Sequence, residues 1–435
     1  MIVYVENPNK RKAVYDILNI FYQKDQIIFD KDKASIFVGD DFLLLDGLEF
    51  FYEDNLSLKA KLYKFLCEKT SYRSPWGILT GSKPSKLLKK HSPEEIRKKY
   101  LLSEEKLKTL IEVDKVQKQE TFNDKDFNLY INIPFCQTRC DYCSYPTIVG
   151  NKEDKSLYVK NLLREIDKVK LAPKLDTIYI GGGTPSFLSY DDLSLLLERI
   201  SEKFSFREFS FEAGREDCLD YKKLKILKEY GVNRISLNPQ TFTKSVIEKT
   251  GRIQNLPNLI DLYYKAKDMG FIVNMDFIIG LFGETRHSFR DNFKYLRDLK
   301  PDNITFHALA QKVGSKYHEK NVLGSKKDSL LIAEDIEKFC KENNYKPYYL
   351  YRQKNIISNL ENIAYEKDHT ASRYNILINE EMENVIGFGM NANSKLMDGE
   401  KYRNPRNLRD YYKNINSTIE EKNKLIEEFN KKSSF

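Results

Sequence analysis

Short apolar or alternating segments recur through the middle of the chain, and most are rich in β-branched or aromatic residues. Such segments are typical of β-strands. Most of the intervening segments have apolar residues at three- and four-residue spacings, which predict amphipathic helices. The predicted strands are residues 129–135, 177–183, 208–214, 234–240, 273–281 and 303–309, and the predicted helices are residues 155–169, 190–204, 220–231, 259–270 and 287–300.

This alternation predicts a parallel sheet, because parallel neighbours need long crossover connections, which are right-handed. Six strand–helix units are fewer than the eight of a closed barrel. We therefore predict an α/β fold with a partial (β/α)6 barrel over residues 126–312. Residues 1–125 are predicted to form an N-terminal α/β extension, and residues 313–435 a C-terminal α+β domain on the substrate side.

Composition narrows the class of protein. The 435 residues are 41% hydrophobic and 31% charged, with a mean hydropathy of -0.58. No apolar run approaches the roughly 20 residues of a membrane-spanning helix. The first residues lack the apolar segment and cleavage site of a signal peptide, so we predict a cytoplasmic protein. The net charge of +8 comes from interspersed acidic and basic residues, which argues against binding to nucleic acid.

Three of the six cysteines, Cys136, Cys140 and Cys143, directly follow the first predicted strand. In a reducing compartment such a group favours metal binding or catalysis over disulfides. A tetrahedral zinc site needs four protein ligands, and no nearby Cys or His supplies the fourth, so zinc is the second choice. A [4Fe-4S] cluster held by three thiolates keeps one iron open for an exchangeable ligand. The other cysteines are predicted to be inert core residues: Cys67, Cys218 and Cys340.

Polar or glycine-rich segments also end the next three predicted strands. Gly181–Thr184 follows the second strand, Glu212 closes the third and Gln240 closes the fourth. Three consecutive glycines permit a close backbone approach, although a tight turn would also explain them. Because ligands of such sheets bind at the carboxyl ends of the strands, we expect these groups to converge on one face.

The C-x3-C-x2-C spacing after the first strand resembles the radical S-adenosylmethionine (SAM) enzymes. YINIPFCQTRCDYC, IYIGGGTPSFL, GVNRISLNPQTF, MDFIIGLFGET and YYLYRQKN further resemble the oxygen-independent coproporphyrinogen III oxidases and their relatives, which include haem chaperones. RSPWGILTGSKPSKL resembles their longer coproporphyrinogen dehydrogenase subgroup. The resemblance implies a partial barrel of the radical SAM type, with a [4Fe-4S] cluster and SAM as cofactors. It also implies reductive cleavage of SAM to methionine and a 5'-deoxyadenosyl radical, which abstracts a hydrogen atom from the substrate.

The resemblance also implies roles for individual residues. Cys136, Cys140 and Cys143 would bind the cluster. The residues implied to bind SAM are Tyr130, Tyr142, Gly181, Gly182, Gly183, Thr184, Glu212, Gln240, Arg252, Asp276 and Ala308. Two of these, Tyr130 and Glu212, are also predicted to be catalytic. Structural roles stay open: a core aromatic for Tyr130, a hydrogen-bonding residue at a strand end for Gln240 or Asp276, and a solvated charge for Arg252.

The implied substrate is coproporphyrinogen III, a tetrapyrrole with four propionates, which needs aromatic surfaces and cations. We predict an enzyme that converts two propionates to vinyl groups, giving protoporphyrinogen IX, with a flavodoxin or ferredoxin as electron donor. One segment offers candidate substrate contacts, although an amphipathic edge strand would also explain its pattern. It contains Tyr348, Tyr349, Tyr351, Arg352 and Lys354. Tyr145 stands where the resembled decarboxylases carry a fourth cysteine. A haem chaperone is therefore the alternative, and another radical reaction on a tetrapyrrole is the third.

Overall fold

The structure is a computed structural model that describes residues 1–22, 24–81, 83–150 and 153–433. The chain forms two compact units. One comprises Met1–Lys115 and Leu350–Glu361, and the other comprises Val116–Tyr349 and Asn362–Phe435. In the described part of the chain, no helix has the length and apolar character needed to cross a membrane.

The first unit contains a five-stranded sheet and helices that pack on it. Its strands are β1 (Ile2–Val5), β2 (Ile28–Phe29), β3 (Ile36–Val38), β4 (Phe42–Leu45) and β5 (Leu48–Phe51), in the order β2-β1-β3-β4-β5. Its helices are α1 (Pro8–Phe21), α2 (Asn55–Thr70), α3 (Pro93–Tyr100) and α4 (Glu104–Gln117). Asn7 caps α1, and Asp54 caps α2 by accepting a hydrogen bond from the Ser57 amide. Fully buried Val14 and Leu62 belong to the apolar core of this unit.

The second unit is built on an eleven-stranded sheet. The strands that follow are β6 (Phe127–Ile133), β7 (Phe135–Cys136), β8 (Ile148–Val149), β9 (Lys174–Gly182), β10 (Ser205–Gly214), β11 (Arg234–Leu237), β12 (Ile272–Ile279), β13 (Asn303–Ala308), β14 (Lys346–Tyr351), β15 (Asn362–Glu366), β16 (Asn384–Phe388), β17 (Asn393–Lys395) and β18 (Lys401–Arg403). The helices are α5 (Lys155–Lys168), α6 (Tyr190–Lys203), α7 (Tyr221–Glu229), α8 (Lys244–Ile247), α9 (Leu256–Asp268), α10 (Arg286–Leu299), α11 (Lys316–Glu319), α12 (Lys326–Glu342), α13 (Arg373–Glu380), α14 (Leu408–Lys413) and α15 (Ile415–Ser433).

The six predicted strands are present and lie side by side. β6, β9, β10, β11, β12 and β13 are neighbours in that order, and each neighbouring pair is parallel. The predicted helices α5, α6, α7, α9 and α10 connect them. The short helix α8 was not predicted, because four residues carry too little periodicity. The predicted α/β fold with a partial barrel is therefore confirmed.

Strands from the C-terminal part of the chain extend both edges of this parallel series. β16 lies parallel to β6, with Gly387 opposite Tyr130. β15 lies antiparallel to β13, with Ile363 opposite Phe306. Both strands have five residues, and each is buried along its whole length. Sequence analysis did not predict them because such short segments lack an amphipathic pattern.

A buried ion pair fastens the end of β16 to two helices. Glu165 of α5 pairs with Lys422 of α15, and both side chains are inaccessible to solvent. Glu165 also accepts hydrogen bonds from the Gly389 amide at 2.9 Å and the Tyr411 hydroxyl at 2.6 Å. Lys422 donates to the Gly387 carbonyl as well. Since each charge is buried with several partners, losing either one would leave the other uncompensated.

Candidate active site at the carboxyl ends of the parallel strands

The three clustered cysteines lie on a loop between β6 and α5, and we call residues 136–147 the cysteine loop. The short parallel pair of β7 and β8 closes its base, with Cys136 opposite Val149. The Gly150 amide donates to the Cys136 carbonyl at 2.9 Å, and the Cys143 amide donates to the Cys140 carbonyl at 3.1 Å. All three cysteines are half-buried. The loop is thus held at its base and presents three thiols over a short length of chain.

Polar side chains from the segments after β9 and β10 meet the cysteine loop. The Thr184 hydroxyl lies 3.5 Å from the Cys136 sulfur. Arg215 donates to the Thr138 hydroxyl at 2.9 Å, and its nearer guanidinium nitrogen lies 3.9 Å from the Cys140 sulfur. Sequence analysis missed Arg215, although it follows the third predicted strand, where site residues are expected. Burial raises the pKa of the Cys136 thiol, and it raises the pKa of Cys143 to about 11.

The sequence predicts a [4Fe-4S] cluster at these thiols, with a zinc ion as the second choice. Among the described residues, no three His, Cys, Asp or Glu side chains are arranged to hold one metal ion. A zinc site would need four protein ligands that converge on one ion. In a [4Fe-4S] cluster each thiolate binds its own iron, so convergence on a point is not needed. Of the remaining cysteines, buried Cys218 donates to the Gln137 side chain at 3.2 Å and so lies beside the loop.

The glycine segment after β9 packs directly against the chain that carries Cys136. The Gly183 amide donates to the Ile133 carbonyl at 2.8 Å. A Cβ atom on Gly182 would lie 2.1 Å from an Asn132 side-chain oxygen, and one on Gly183 would lie 3.0 Å from the Cys136 sulfur. Gly182 also has a φ of +119°, which favours glycine. Close packing on the cysteine-bearing strand therefore requires these glycines, and a side chain at Gly182 would disturb the fold itself.

Three tyrosines form a stacked row across β6, β9 and α13. The ring centroids of Tyr130 and Tyr179 are 6.3 Å apart, and those of Tyr179 and Tyr374 are 4.5 Å apart. Burial raises the pKa of Tyr130 above its ordinary value. Tyr130 was predicted as a site residue, but Tyr179 and Tyr374 were not. The other predicted aromatic, half-buried Tyr142, lies on the cysteine loop and contacts Tyr317 edge-on, with 6.5 Å between the ring centroids.

A group of titratable side chains lies beside the tyrosine row. Glu212 of β10 is 3.5 Å from the Tyr179 hydroxyl. Burial and the negative charge of Asp276 raise the pKa of Glu212 to about 7. Asp276 lies 3.7 Å from His307 of β13. Burial lowers the pKa of His307, but hydrogen bonding and the charge of Asp276 outweigh burial, so this pKa is raised. Three strands thus bring together Glu212, Asp276 and His307, and the pKa of Glu212 lies near neutral pH.

Gln240 and Arg252 each carry a polar atom without a protein partner. Gln240 has a φ of +66°, and its amide donates to the Asp276 carbonyl at 2.9 Å. Its buried side-chain oxygen has no hydrogen-bond partner among the described residues. Buried Arg252 pairs with Glu216 at 3.2 Å, but its Nε likewise has no partner in the described chain. Unpaired buried polar atoms are costly, so these two fit a polar ligand at the strand ends.

The structure brings most of the predicted SAM-binding residues to one end of the parallel sheet. Ala308 is the last residue of β13 and is buried beside Ile279 of β12. It can contribute only backbone groups and a methyl surface. Whether each predicted residue contacts SAM stays a prediction, but the expected convergence of strand ends is present.

The interpretation of Arg352 as a propionate-binding cation is wrong. Its guanidinium is buried in the first unit, where it donates to the Asn359 carbonyl at 2.9 Å and to the Leu79 carbonyl. It also lies 5.1 Å from the centre of the Trp76 ring. Burial lowers its pKa to about 10. In the second unit, neighbouring Tyr348 and Tyr349 are buried as well, so this segment does not present the predicted aromatic surface.

Residues 130–296 match the Radical SAM superfamily. The oxygen-independent coproporphyrinogen-III oxidase-like protein HemZ of Bacillus subtilis (strain 168) is 31% identical over 99% of this chain and 98% of its own length. The chain belongs to the radical SAM superfamily and to its coproporphyrinogen-III oxidase-like family. The heme chaperone HemW of Lactococcus lactis subsp. lactis (strain IL1403) is 29% identical over 70% of the chain and 80% of its own length.

The fold is likewise similar to that of coproporphyrinogen III oxidase (HemN) from Escherichia coli, described as a radical SAM enzyme. The TM-score is 0.57 at 23% identity, and the match covers 70% of this chain and 73% of that one. Membership of the superfamily implies a [4Fe-4S] cluster and SAM. Three thiols on one loop and unpaired polar atoms at Gln240 and Arg252 fit those groups.

Proposed function

We propose that this protein converts coproporphyrinogen III to protoporphyrinogen IX by oxidative decarboxylation of two propionates. The observation that carries the proposal is the strand-end site, where a loop with three thiols adjoins stacked tyrosines and a carboxylate–histidine group. Similarity over 99% of the chain to a relative named as coproporphyrinogen-III oxidase-like supports this proposal. Family membership alone leaves the substrate open, so the tetrapyrrole is part of the proposal.

When bound, the cluster and SAM supply a radical that takes a hydrogen atom from the β-carbon of a propionate. The substrate then loses carbon dioxide and passes one electron to an acceptor, which leaves a vinyl group. The protein must hold SAM and the propionate close together and keep water out. The stacked rings of Tyr130, Tyr179 and Tyr374 provide an apolar wall for this purpose.

The polar residues at the strand ends would bind and orient the cofactors. The three thiolates of the cysteine loop would hold the cluster. Glu212 would accept hydrogen bonds from cofactor hydroxyls, which favour its ionised form. Gln240 would offer an acceptor and Arg252 a donor, each at an atom that has no protein partner among the described residues. His307, which lies 3.7 Å from Asp276, helps to orient that carboxylate.

The test is an anaerobic assay of reconstituted protein with SAM, dithionite, coproporphyrinogen III and an electron acceptor. We expect a product with two carboxylates fewer and a mono-vinyl intermediate, both detected by mass spectrometry. Gln240→Ala should weaken SAM binding in equilibrium dialysis. Gln119→Ala, at an exposed glutamine after α4, is the matched control. Unchanged coproporphyrinogen III with active SAM cleavage would refute the proposed reaction.

A haem chaperone is the second candidate, and two observations favour it. HemW relatives are similar over much of the chain. Tyr145, which is 65% exposed, stands where the resembled decarboxylases carry a fourth cysteine. This position therefore supplies no thiol. A chaperone would leave the mass of coproporphyrinogen III unchanged and bind haem stoichiometrically. A shifted Soret band and haem transfer to an apo-acceptor would identify this outcome.

A further inference from the structure

The five-stranded sheet of the first unit packs against helices on one face. Alternate residues of β1, β3 and β4 join residues of α1 and α2 in the apolar core of this unit. They are Val3, Ile36, Val38, Leu43 and Leu45, and each is at most 1% exposed. Successive side chains of a strand point to opposite faces, so the intervening residues point away from this core. We call the surface that they form the open face.

The open face is apolar across four neighbouring strands. Tyr4 lies opposite Phe37, which in turn lies opposite Leu44. Phe42 lies opposite Phe51. The ring centroids of Tyr4 and Phe37 are 5.2 Å apart, and those of Phe37 and Phe42 are 5.7 Å apart. Phe51 is 64% exposed and the other four are partly exposed, so they form one accessible apolar surface.

The strand sequences indicate that this surface is covered by a partner. A sheet with one face in water normally carries polar residues on that face, whereas strands covered on both faces are apolar throughout. The strands IVYV, IFV and FLLL, which are β1, β3 and β4, are apolar throughout. Contiguous exposed apolar surface of this kind marks an interaction site.

A cation and an anion lie at the same level of the open face. Glu49 of β5 is opposite Leu44, and the register continues through Phe37 to Tyr4 on β1. The Lys31 ammonium lies 5.6 Å from the centre of the Tyr4 ring. Three strand spacings, about 14 Å, separate β1 from β5. Both charged residues are exposed, and neither pairs with an opposite charge within the described ranges of the chain.

We propose that a second copy of the chain covers the open face, with the two sheets packed face to face in a homodimer. A twofold axis parallel to the strands, between β3 and β4, keeps the level of every residue and exchanges the two edges of the sheet. Lys31 of each copy then lies over Glu49 of the other. Packed sheets are about 10 Å apart, a gap that a lysine and a glutamate span together. The surface is therefore complementary to itself, as a twofold interface requires.

Two other arrangements are outcomes of the test. The exposed edge of β5 could pair with β5 of a second copy, but antiparallel pairing would bring the acidic residues Asp46, Glu53 and Asp54 together. A different protein could cover the open face, but it would not need the matched positions of Lys31 and Glu49. Charge therefore favours face-to-face pairing of two copies. The inference is independent of the proposed reaction, because it uses none of the strand-end residues.

The experiment is sedimentation velocity of the full chain, reconstituted anaerobically. Concentrations extend to about 200 μM, because a face of four short strands gives a small and hence weak interface. The variants are Lys31→Glu, Glu49→Lys and the double variant Lys31→Glu/Glu49→Lys. The matched control is Lys168→Glu/Glu198→Lys, at exposed residues of α5 and α6 in the second unit.

The wild type should show a monomer–dimer equilibrium. Each single reversal places like charges at both symmetric contacts and should weaken dimerisation about tenfold, and the double reversal should restore it. Phe51→Ser should also weaken dimerisation about tenfold, because it removes apolar area from the interface. Leu195→Ser, at a 45% exposed side chain of α6, and the charge control should both dimerise like the wild type.

A monomer at every concentration would overturn the inference. A dimer that the single reversals leave unchanged would also overturn it. Failure of the double reversal to restore dimerisation would do the same, since pairing along the β5 edge or through another surface predicts that result.

Discussion

Glu212→Gln should stabilise the cofactor-free protein above neutral pH. Burial first, and then the charge of Asp276, raise the pKa of Glu212 from 4.5 to about 7. At higher pH the folded protein must therefore keep a carboxylate in a place that favours the neutral acid. Glutamine has nearly the same shape and no charge, so it removes this penalty.

The magnitude follows from the pKa shift. Each pKa unit corresponds to about 1.4 kcal/mol, so the shift of Glu212 corresponds to about 3 kcal/mol. The folded-state pKa lies above the unfolded one, so the carboxyl is not penalised below the unfolded pKa of about 4.5. The free energy of unfolding falls as the pH rises from about 4.5 to about 7, and the loss is constant at higher pH. Glu212→Gln should therefore gain about 3 kcal/mol between about pH 4.5 and about pH 8.5, relative to wild type.

Hydrogen exchange of the β9 and β10 peptides reports the second unit, since the chain's single tryptophan, Trp76, belongs to the first. The free energy of opening is measured for wild type and variant at both pH values. Glu198→Gln, an exposed carboxyl on α6, is the matched control and should change little. An equal difference between Glu212→Gln and wild type at both pH values would refute the reasoning, as would the same gain in the control.

Three further outcomes are expected. Replacing any one cysteine of the cysteine loop by Ala should abolish iron and sulfide binding, whereas Cys67→Ala should keep both; stoichiometric zinc in the wild type would contradict this. Lys422→Met should cost about 3 to 5 kcal/mol in urea unfolding because Glu165 is left buried and unpaired, and adding Glu165→Gln should recover part of it. Arg352→Met should destabilise the first unit by about 2 to 4 kcal/mol, measured by Trp76 fluorescence, with iron content unchanged.

The parallel series and the cysteine loop could be predicted because their signals are local. Each strand from β6 to β13 in that series has its own apolar run, and each crossover helix has its own periodicity. The spacing of Cys136, Cys140 and Cys143 lies within eight consecutive residues. Convergence of Glu212 and Gln240 then follows from parallel topology alone, since the carboxyl ends of neighbouring strands share an edge.

Residues that join the site through long-range packing could not be predicted. Tyr374 is on α13, far from Tyr179 in sequence, and only the packed fold stacks their rings. His307 lies inside an apolar run and has no local signal until Asp276 of the neighbouring strand lies beside it. The prediction for Arg352 was wrong although a local signal was present. Tyrosines beside an arginine suggest a ligand surface, but this arginine is buried in the first unit.

Several features that cost stability lie at the strand ends, and together they argue for a ligand there. Gln240 has an unfavourable positive φ and a buried oxygen without a partner. Glu212 is disfavoured as a carboxylate, and Arg252 keeps an unpaired buried Nε. A fold selected only for stability would replace such groups by apolar side chains. Because a ligand with hydroxyl, amino and carboxylate groups would pair with all three residues, binding should recover much of the free energy that the empty protein loses there.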